Sequence, residues 1–404
     1  MSRLPHPANK FVMAFVLALA GLILPGFAGA QGLVVIHNFQ SVGGDGWIPS
    51  GNLLRDSAGN LYGTTALGGD VRNCKDGCGT VFKLAPDGTE TILHAFDYTG
   101  GAYPLGGVIM GRNGNLYGTT LTGANGCGTV YELAPDGTET TLNSFTYGAG
   151  GCRPSGGLLT HKGDLYGTTT VGGNTGPGCG GGCGVVFRLA RDGVQTVLWS
   201  FAGGSDGSYP SGNLVMDTAG NLYGTTYEGG GTCGSYGCGT IYMLAPDGTE
   251  TILHAFDGTD GVGPLGGVIM DSANNLYGTT DGGGTYGYGT IFKLAADGTE
   301  TVLYSFGGGS DGGVPSSLLL SKSGNLYGTT SFGGLCCGTV FKLAPDGTKT
   351  VLHEFKKIEG ISPDGLIAGG SGMLYGTAER GGNGTSCKGR PSGKGCGTVF
   401  MLKE

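Results

Sequence analysis

Charge is scarce in these 404 residues: Asp, Glu, Lys and Arg together make up 13%. The acidic residues outnumber the basic ones, 30 to 22. The chain therefore lacks the clustered Lys and Arg that a nucleic-acid groove or an anionic-membrane surface requires. Long apolar runs are missing too. Only Phe11 to Leu24 approaches one, and it is short of the ~20 residues of a spanning helix. No later stretch repeats its apolar residues every 3.6 positions, so no amphipathic helix is expected. The calcium-loop pattern Asp-x-Asp-x-Asp-Gly is absent. The pattern G-x-S-x-G occurs at 203–207 and 308–312, but in glycine-rich loops with no helix following, so neither serine reads as a nucleophile. The close pairs Cys74/Cys78, Cys179/Cys183 and Cys233/Cys238 have no histidine or second close pair to complete a zinc set. These absences lead us to expect no catalytic residues, no cofactor and no metal.

The first thirty residues read as a leader. Arg3 and Lys10 give a positive start, Phe11 to Leu24 an uncharged apolar stretch, and Ala28-Gly29-Ala30 a small-residue cleavage site. Cleavage after Ala30 would leave 20 basic and 30 acidic residues, a net charge of −10. The expected product is secreted, extracellular or periplasmic, with no membrane insertion after cleavage. Twelve cysteines in an exported chain then read as disulfides.

Glycine and proline make up about 26% of the chain, a share that without a period would suggest disorder. Here there is a period. Leu-Tyr-Gly-Thr recurs with Tyr at 62, 117, 166, 223, 277, 327 and 375, at spacings of 48 to 57 residues. Such spacing marks a solenoid, propeller or array. Residues 104–145 show the unit: strand a after Pro104, a tight turn, strand b from Leu116, a glycine-rich loop, strand c over 128–133, the turn Ala134-Pro135-Asp136-Gly137, and strand d to Phe145. Seven c strands are present, but the last, 398–402, has no d strand after it. The missing one stands at the other end, as 33–39. Pairing the two closes a ring and removes both bare edges. The expected fold is all-β: a single seven-bladed β-propeller over 31–404, four antiparallel strands per blade, closed by strand 33–39 joining the last blade. The short a–b and c–d turns then share one face. The long, variable b–c and d–a loops share the other, where binding is expected.

The repeated "GNLYGTT", "GTVFKLAPDGTET" and "LHAF" resemble the GloVer tandem repeats of secreted bacterial proteins, and the resemblance covers nearly all of 31–404. It implies export and a propeller-like repeat, without an established activity. Members are said to carry C-terminal anchors; this chain ends in strand c, with no sorting tail.

On the expected binding face, the d–a loops carry Asp45, Asp206, Asp260, Asp311 and Glu359 four residues before a proline. They could form an acidic ring or simply close Asp-Gly turns. Beside them stand Trp47, Tyr103, Tyr209 and Arg153, candidates for stacking on a sugar or a surface ligand. His37, His94, His254 and His353 share one repeat position with Asn143, Trp199 and Tyr304. That mixture reads as a half-buried hydrogen-bonding site, and the seven tyrosines read as packing between blades. The expected disulfides are Cys74–Cys78, Cys179–Cys183, Cys233–Cys238 and Cys387–Cys396 within b–c loops, and Cys127–Cys152 between neighbouring loops. Cys336 and Cys337 are left open between a vicinal bridge and free thiols. With two tryptophans, the chain does not fit the Trp-rich quinoprotein propellers. The favoured reading is a monomeric, non-catalytic binding protein for a carbohydrate or cell-surface ligand. Its alternatives are a glycosidase or lyase using loop carboxylates, and a structural surface protein.

Overall fold

The computed structural model describes residues 32–40, 44–70, 72–123, 125–231, 233–234, 236–383 and 395–404. The expected leader and Cys387 lie outside them. Among the described residues there are seven four-stranded antiparallel sheets, two single 3-10 turns, and no helix long and apolar enough to cross a membrane. The 3-10 turns, Gly204–Asp206 and Gly309–Asp311, are the two G-x-S-x-G segments; each is a turn in a d–a loop rather than a strand–turn–helix elbow.

Blade one is built from strands a to d at Gly46–Arg55, Leu61–Gly68, Thr80–Leu84 and Glu90–Ala95, hydrogen-bonded in that order. The a strands line the centre and the d strands the rim. Blade seven takes Ile361–Ala368, Met373–Arg380 and Thr398–Lys403 from the end of the chain and Leu33–Asn38 from its beginning. Leu33 pairs with Leu402 and Asn38 with Thr398, which closes the ring. In every blade the c–d ladder carries a bulge at the same place, as between Val81 and Phe82. A bulge adds local twist, and here it fits the outer strand to a wedge-shaped blade.

The core lies in the seams between blades. Each seam joins the d-strand Phe of one blade to a c-strand aromatic of the next, edge to face. The pairs are Phe39–Phe82, Phe96–Tyr131, Phe145–Phe187, Phe201–Tyr242, Phe256–Phe292, Phe306–Phe341 and Phe355–Phe400, with centroids 5.0 to 5.3 Å apart. All fourteen rings are buried. The Gly of Leu-Tyr-Gly-Thr exists for these rings: a Cβ on Gly63 would run into the Phe82 ring. The sequence suggested a close approach of backbone there; the group that approaches is a neighbouring aromatic.

The tyrosine before that glycine is half-buried. Tyr62 packs against the cluster around Tyr131 and Leu133 of the next blade, and its hydroxyl donates to Asp56 Oδ2 at 3.1 Å. Asn60 donates to the same carboxylate from both its backbone N–H and its side-chain amide. Tyr223 with Asp217 and Tyr277 with Asp271 repeat the arrangement. The Asn-Leu-Tyr motif therefore staples the a–b turn while packing the seam.

At Tyr131 and Tyr242 a hydroxyl sits in the seam core, fully buried and without a hydrogen-bond partner. An orphaned buried hydroxyl costs on the order of 1–3 kcal/mol. Tyr131→Phe and Tyr242→Phe, which copy the other five blades, are expected to stabilise the protein by about 1 kcal/mol each in urea denaturation. A loss of stability would show that the hydroxyls are satisfied.

Between described residues five disulfides are seen: Cys74–Cys78, Cys127–Cys152, Cys179–Cys183, Cys233–Cys238 and the vicinal Cys336–Cys337. The b–c and d–a loops thus lie side by side, as a 127–152 bridge requires. Cys336 and Cys337 are bridged to each other. Cys396 is disulfide-bonded.

Candidate functional site

Each a strand enters the disc through a proline, and the residue before it lies in the left-handed region in all seven blades. The φ values are 58° at Ile48, 60° at Tyr103, 61° at Arg153, 57° at Tyr209, 66° at Gly263, 53° at Val314 and 54° at Ser362. Such a conformation is uncommon without glycine. It persists because the same residue's N–H is fixed each time: it donates to the carbonyl of Cys396, Cys78, Cys127, Cys183, Cys238, Tyr288 or Cys337, in the b–c loop of the preceding blade or, for Cys238, at the start of its c strand. Six of these seven acceptors are disulfide-bonded cysteines. Strained backbone held by its surroundings is a feature of binding rims.

Just past each proline the seven chains meet at the axis. Residues 50–52, 105–106, 155–157, 211–213, 265–266, 315–317 and 363–364 line one cavity of about 360 Å³. Its floor is narrow because the inner strands nearly touch: a Cβ on Gly106 would strike the Gly156 carbonyl, and one on Gly156 the Gly212 carbonyl. Across the floor, Ser317 Oγ donates to Asn52 Oδ1 at 3.3 Å. The mouth takes Asp281, Ser331 and Glu379 from the ends of b strands, and so opens on the face of the long loops.

The funnel is mostly hydroxyl, amide and bare backbone, with Ser50, Ser155, Ser211, Ser316, Asn52 and Asn213 in the wall. Exposed Leu265 and Val314 add apolar surface at the rim. Burial pushes the Asp281 carboxyl up to about 6. Burial also raises Asp364 above the usual carboxylate range, against the Gly365 N–H that bonds it.

The funnel opens on the face to which the sequence pointed, but none of the candidate residues named there lines it. The column that reveals it follows each proline: Ser50, Leu105, Ser155, Ser211, Leu265, Ser316 and Asp364. Those residues look like ordinary strand starts until sevenfold closure gathers them into one wall. Of the aromatic candidates, three are tied into loops beside it. Trp47 Nε1 donates to the Asp76 carbonyl and Tyr209 Oη to the Gly178 carbonyl, while Tyr103 packs on the Cys74–Cys78 loop. Arg153 is exposed.

The loop acids do not converge on the axis. Each lies in a seam beside the outer strands. Asp206 Oδ1 accepts from Trp199 Nε1, Asp260 Oδ2 bonds His254 Nε2 at 2.7 Å, Asp311 Oδ1 accepts from Tyr304 Oη, and Glu359 Oε2 bonds His353 Nε2 at 3.0 Å. The same carboxylates take backbone N–H groups of their own loops, at Gln40, Ala202, Asp257, Gly307 and Lys356. The sequence separated the histidine position from the acids; the fold pairs them. A third residue joins from the outer strand of the next blade, as Glu90 joins His37 and Asp45. Burial holds the His37 imidazole down to about 4 and pushes the Glu90 carboxyl up to about 8, with Asp45 beside it adding to the rise. The 3.5 Å contact between them is therefore one of neutral groups near pH 7.

The model of the Gloeobacter/Verrucomicrobia repeat matches residues 72–233 and again 231–404. No curated protein matches in sequence. Among solved structures, the extracellular domain assigned to a one-component system of B. thetaiotaomicron aligns at TM-score 0.57 and 10% identity, over 93% of this chain and 40% of that one. The extracellular domain assigned to a hybrid two-component system of the same organism aligns at 0.55 and 11%, over 91% of this chain and 41% of that one. This chain thus spans about two fifths of the length of each. A PQQ-bound aldose sugar dehydrogenase of Streptomyces coelicolor aligns at 0.46 and 13%, over 92% and 98%. At these identities the likeness is one of fold.

Proposed function

This chain belongs to the Gloeobacter/Verrucomicrobia repeat family, and we propose that it is an exported, non-catalytic propeller that binds a hydroxyl-rich ligand, a carbohydrate or the glycan of a cell-surface partner, in its axial funnel. The observation that carries this reading is the wall of the funnel. Serine hydroxyls and asparagine amides both donate and accept, which matches vicinal sugar hydroxyls. The apolar rim at Leu265 and Val314 suits the C–H face of a sugar ring. The volume of about 360 Å³ falls in the range of small-molecule sites. Export is supported by the leader pattern of residues 1–30 and by the disulfides.

The test is a glycan array followed by calorimetry on the best hit, with Ser155→Tyr as the occluding variant. A large ring at the wall is expected to weaken binding at least about tenfold, a cost of ~1.4 kcal/mol, while the urea midpoint stays unchanged. Undiminished binding by the variant would place the ligand elsewhere.

A second reading rests on Asp281. A carboxyl held near 6 at the mouth of a cavity is half-protonated close to neutrality, as a general acid or base should be. It supports a glycosidase or lyase. Under that reading a polysaccharide that binds is also cleaved, and Asp281→Asn abolishes turnover but not binding. Binding without any cleavage excludes it.

A further inference from the structure

We propose that two of the seven seams, one between blades seven and one and the other between blades four and five, each bind a zinc-class divalent cation. The ligands are His37, Asp45 and Glu90 in the first and His254, Asp260 and Glu300 in the second. In each set one donor atom per residue lies within 4.8 Å of the other two. Ligands at ~2.0–2.2 Å from a tetrahedral ion stand about 3.3 Å apart, so small side-chain adjustments complete the set. Imidazole with carboxylate is a donor set that zinc accepts, and a fourth position stays open to water.

Atoms without partners are found in both seams. In the first seam His37 Nε2, Asp45 Oδ1 and Glu90 Oε1 are all buried, and no donor from outside the three residues reaches them; the two carboxyl groups share a hydrogen bond. The other oxygen of Asp45 is already taken by the Gln40 N–H at 2.7 Å, which fixes the orientation of the carboxylate. In the second seam Glu300 Oε1 is the buried, unpartnered atom, while Asp260 Oδ1 accepts the Asp257 N–H. Buried polar atoms are rarely left this way unless something fills the space between them.

The repeat supplies its own comparison. Seven seams carry the same three positions: the outer strand of one blade, the crossover loop, and the outer strand of the next. Between blades five and six the third position is Lys349 instead of Glu. Its side chain is 3% exposed, and its ammonium lies 2.6 Å from Asp311 Oδ1 and 2.5 Å from the Asp311 carbonyl. Where the chain offers a lysine, a buried cation thus sits on the crossover acid. The remaining seams each lack a ligand. Gly100 and Gly150 replace the loop acid, Trp199 replaces the histidine, and Leu33 stands where a third ligand beside His353 and Glu359 would be. Histidine, loop acid and glutamate come together in two seams; the seam between blades three and four also brings two carboxylates together, Asp206 and Glu250, but has Trp199 in the place of the histidine.

The test uses the chain from residue 31, equilibrated with Zn²⁺ alone, desalted, and assayed for bound metal by mass spectrometry. About two equivalents are expected, with chelator-sensitive melting. The double variant Glu90→Lys, Glu300→Lys copies the lysine seam. It should melt like the parent, ignore chelator, and lose both equivalents, with a fall in Zn²⁺ affinity of roughly 100-fold or more. If it fails to fold, His37→Asn with His254→Asn, the residue type that Asn143 places at this position, removes one ligand per site and should have the same effect on metal content. A parent with less than half an equivalent of zinc, a variant that keeps the parent's metal, or a parent that takes Ca²⁺ as readily as Zn²⁺ overturns the proposal.

Discussion

Starting the chain at Gly44 is expected to cost at least about 5 kcal/mol of stability and to make the protein aggregate. The deleted strand is the fourth of blade seven, paired along Thr398–Leu402. It carries Phe39, fully buried against Phe82 of blade one. Loss of one such ring alone costs ~3–5 kcal/mol. Removal also bares the hydrogen-bonding edge of the strand at 398–403, which invites pairing between molecules. Val35→Pro is the milder version. It puts a proline opposite Phe400 in the edge ladder without removing the ring, for about 3 kcal/mol or less. Equilibrium urea unfolding and size-exclusion chromatography check both. A shortened chain that elutes as a monomer and unfolds at the parent's midpoint would show that closure does not depend on this strand.

The second large effect lies inside a seam. Phe256→Ala and Phe292→Ala should each cost about 3–5 kcal/mol, because each ring is fully buried and its removal leaves a cavity that two rigid sheets cannot collapse. The rings meet at 5.1 Å and an interplanar angle of 62°, so a double-mutant cycle should return a coupling of about 0.5–1.5 kcal/mol. Tyr223→Ala is the informative contrast. Tyr223 is half-buried, with its hydroxyl on Asp217, and should cost about 2 kcal/mol. A Phe256→Ala cost below 1 kcal/mol, or a larger cost at Tyr223, would mean that the tyrosine motif and not the aromatic seam holds the blades together.

The fold was open to reading because repetition multiplies weak signals. One Leu-Tyr-Gly-Thr says little; seven at near-even spacing, with a d strand displaced to the front at 33–39, leave little besides a closed ring. The role of the motif was less legible. Nothing in Tyr62-Gly63 announces that the glycine makes room for Phe82, since that ring arrives from a strand about twenty residues on. The axial funnel was not legible at all. Its wall takes two or three residues from each blade, and Pro-Ser-Gly in one strand is chemically mute until the seven strand starts face one axis. The seam clusters failed for a related reason. His37, Asp45 and Glu90 come from two outer strands and a loop, and periodicity compares like positions between units rather than unlike positions across a boundary. The loop acids, seen alone, resembled a ring around the face; the fold puts each against its own histidine, tryptophan, tyrosine or lysine.

The bridges described above have a consequence for how the molecule assembles in time. The five disulfides between described cysteines join residues one to twenty-five positions apart. Each can form as soon as its own stretch of chain has emerged, and none must wait for a distant partner. The near-identical strands of seven units could otherwise trade places, a hazard of repeat proteins during synthesis. A loop already tied off is a poor participant in such exchange. Everything non-local is then deferred to one event, the meeting of the first strand with the last, separated by some 360 residues. Contacts that distant form slowly. Refolding should accordingly show fast formation of blades and bridges, followed by one slow, concentration-sensitive step in which the circle either shuts on itself or finds the open end of another molecule.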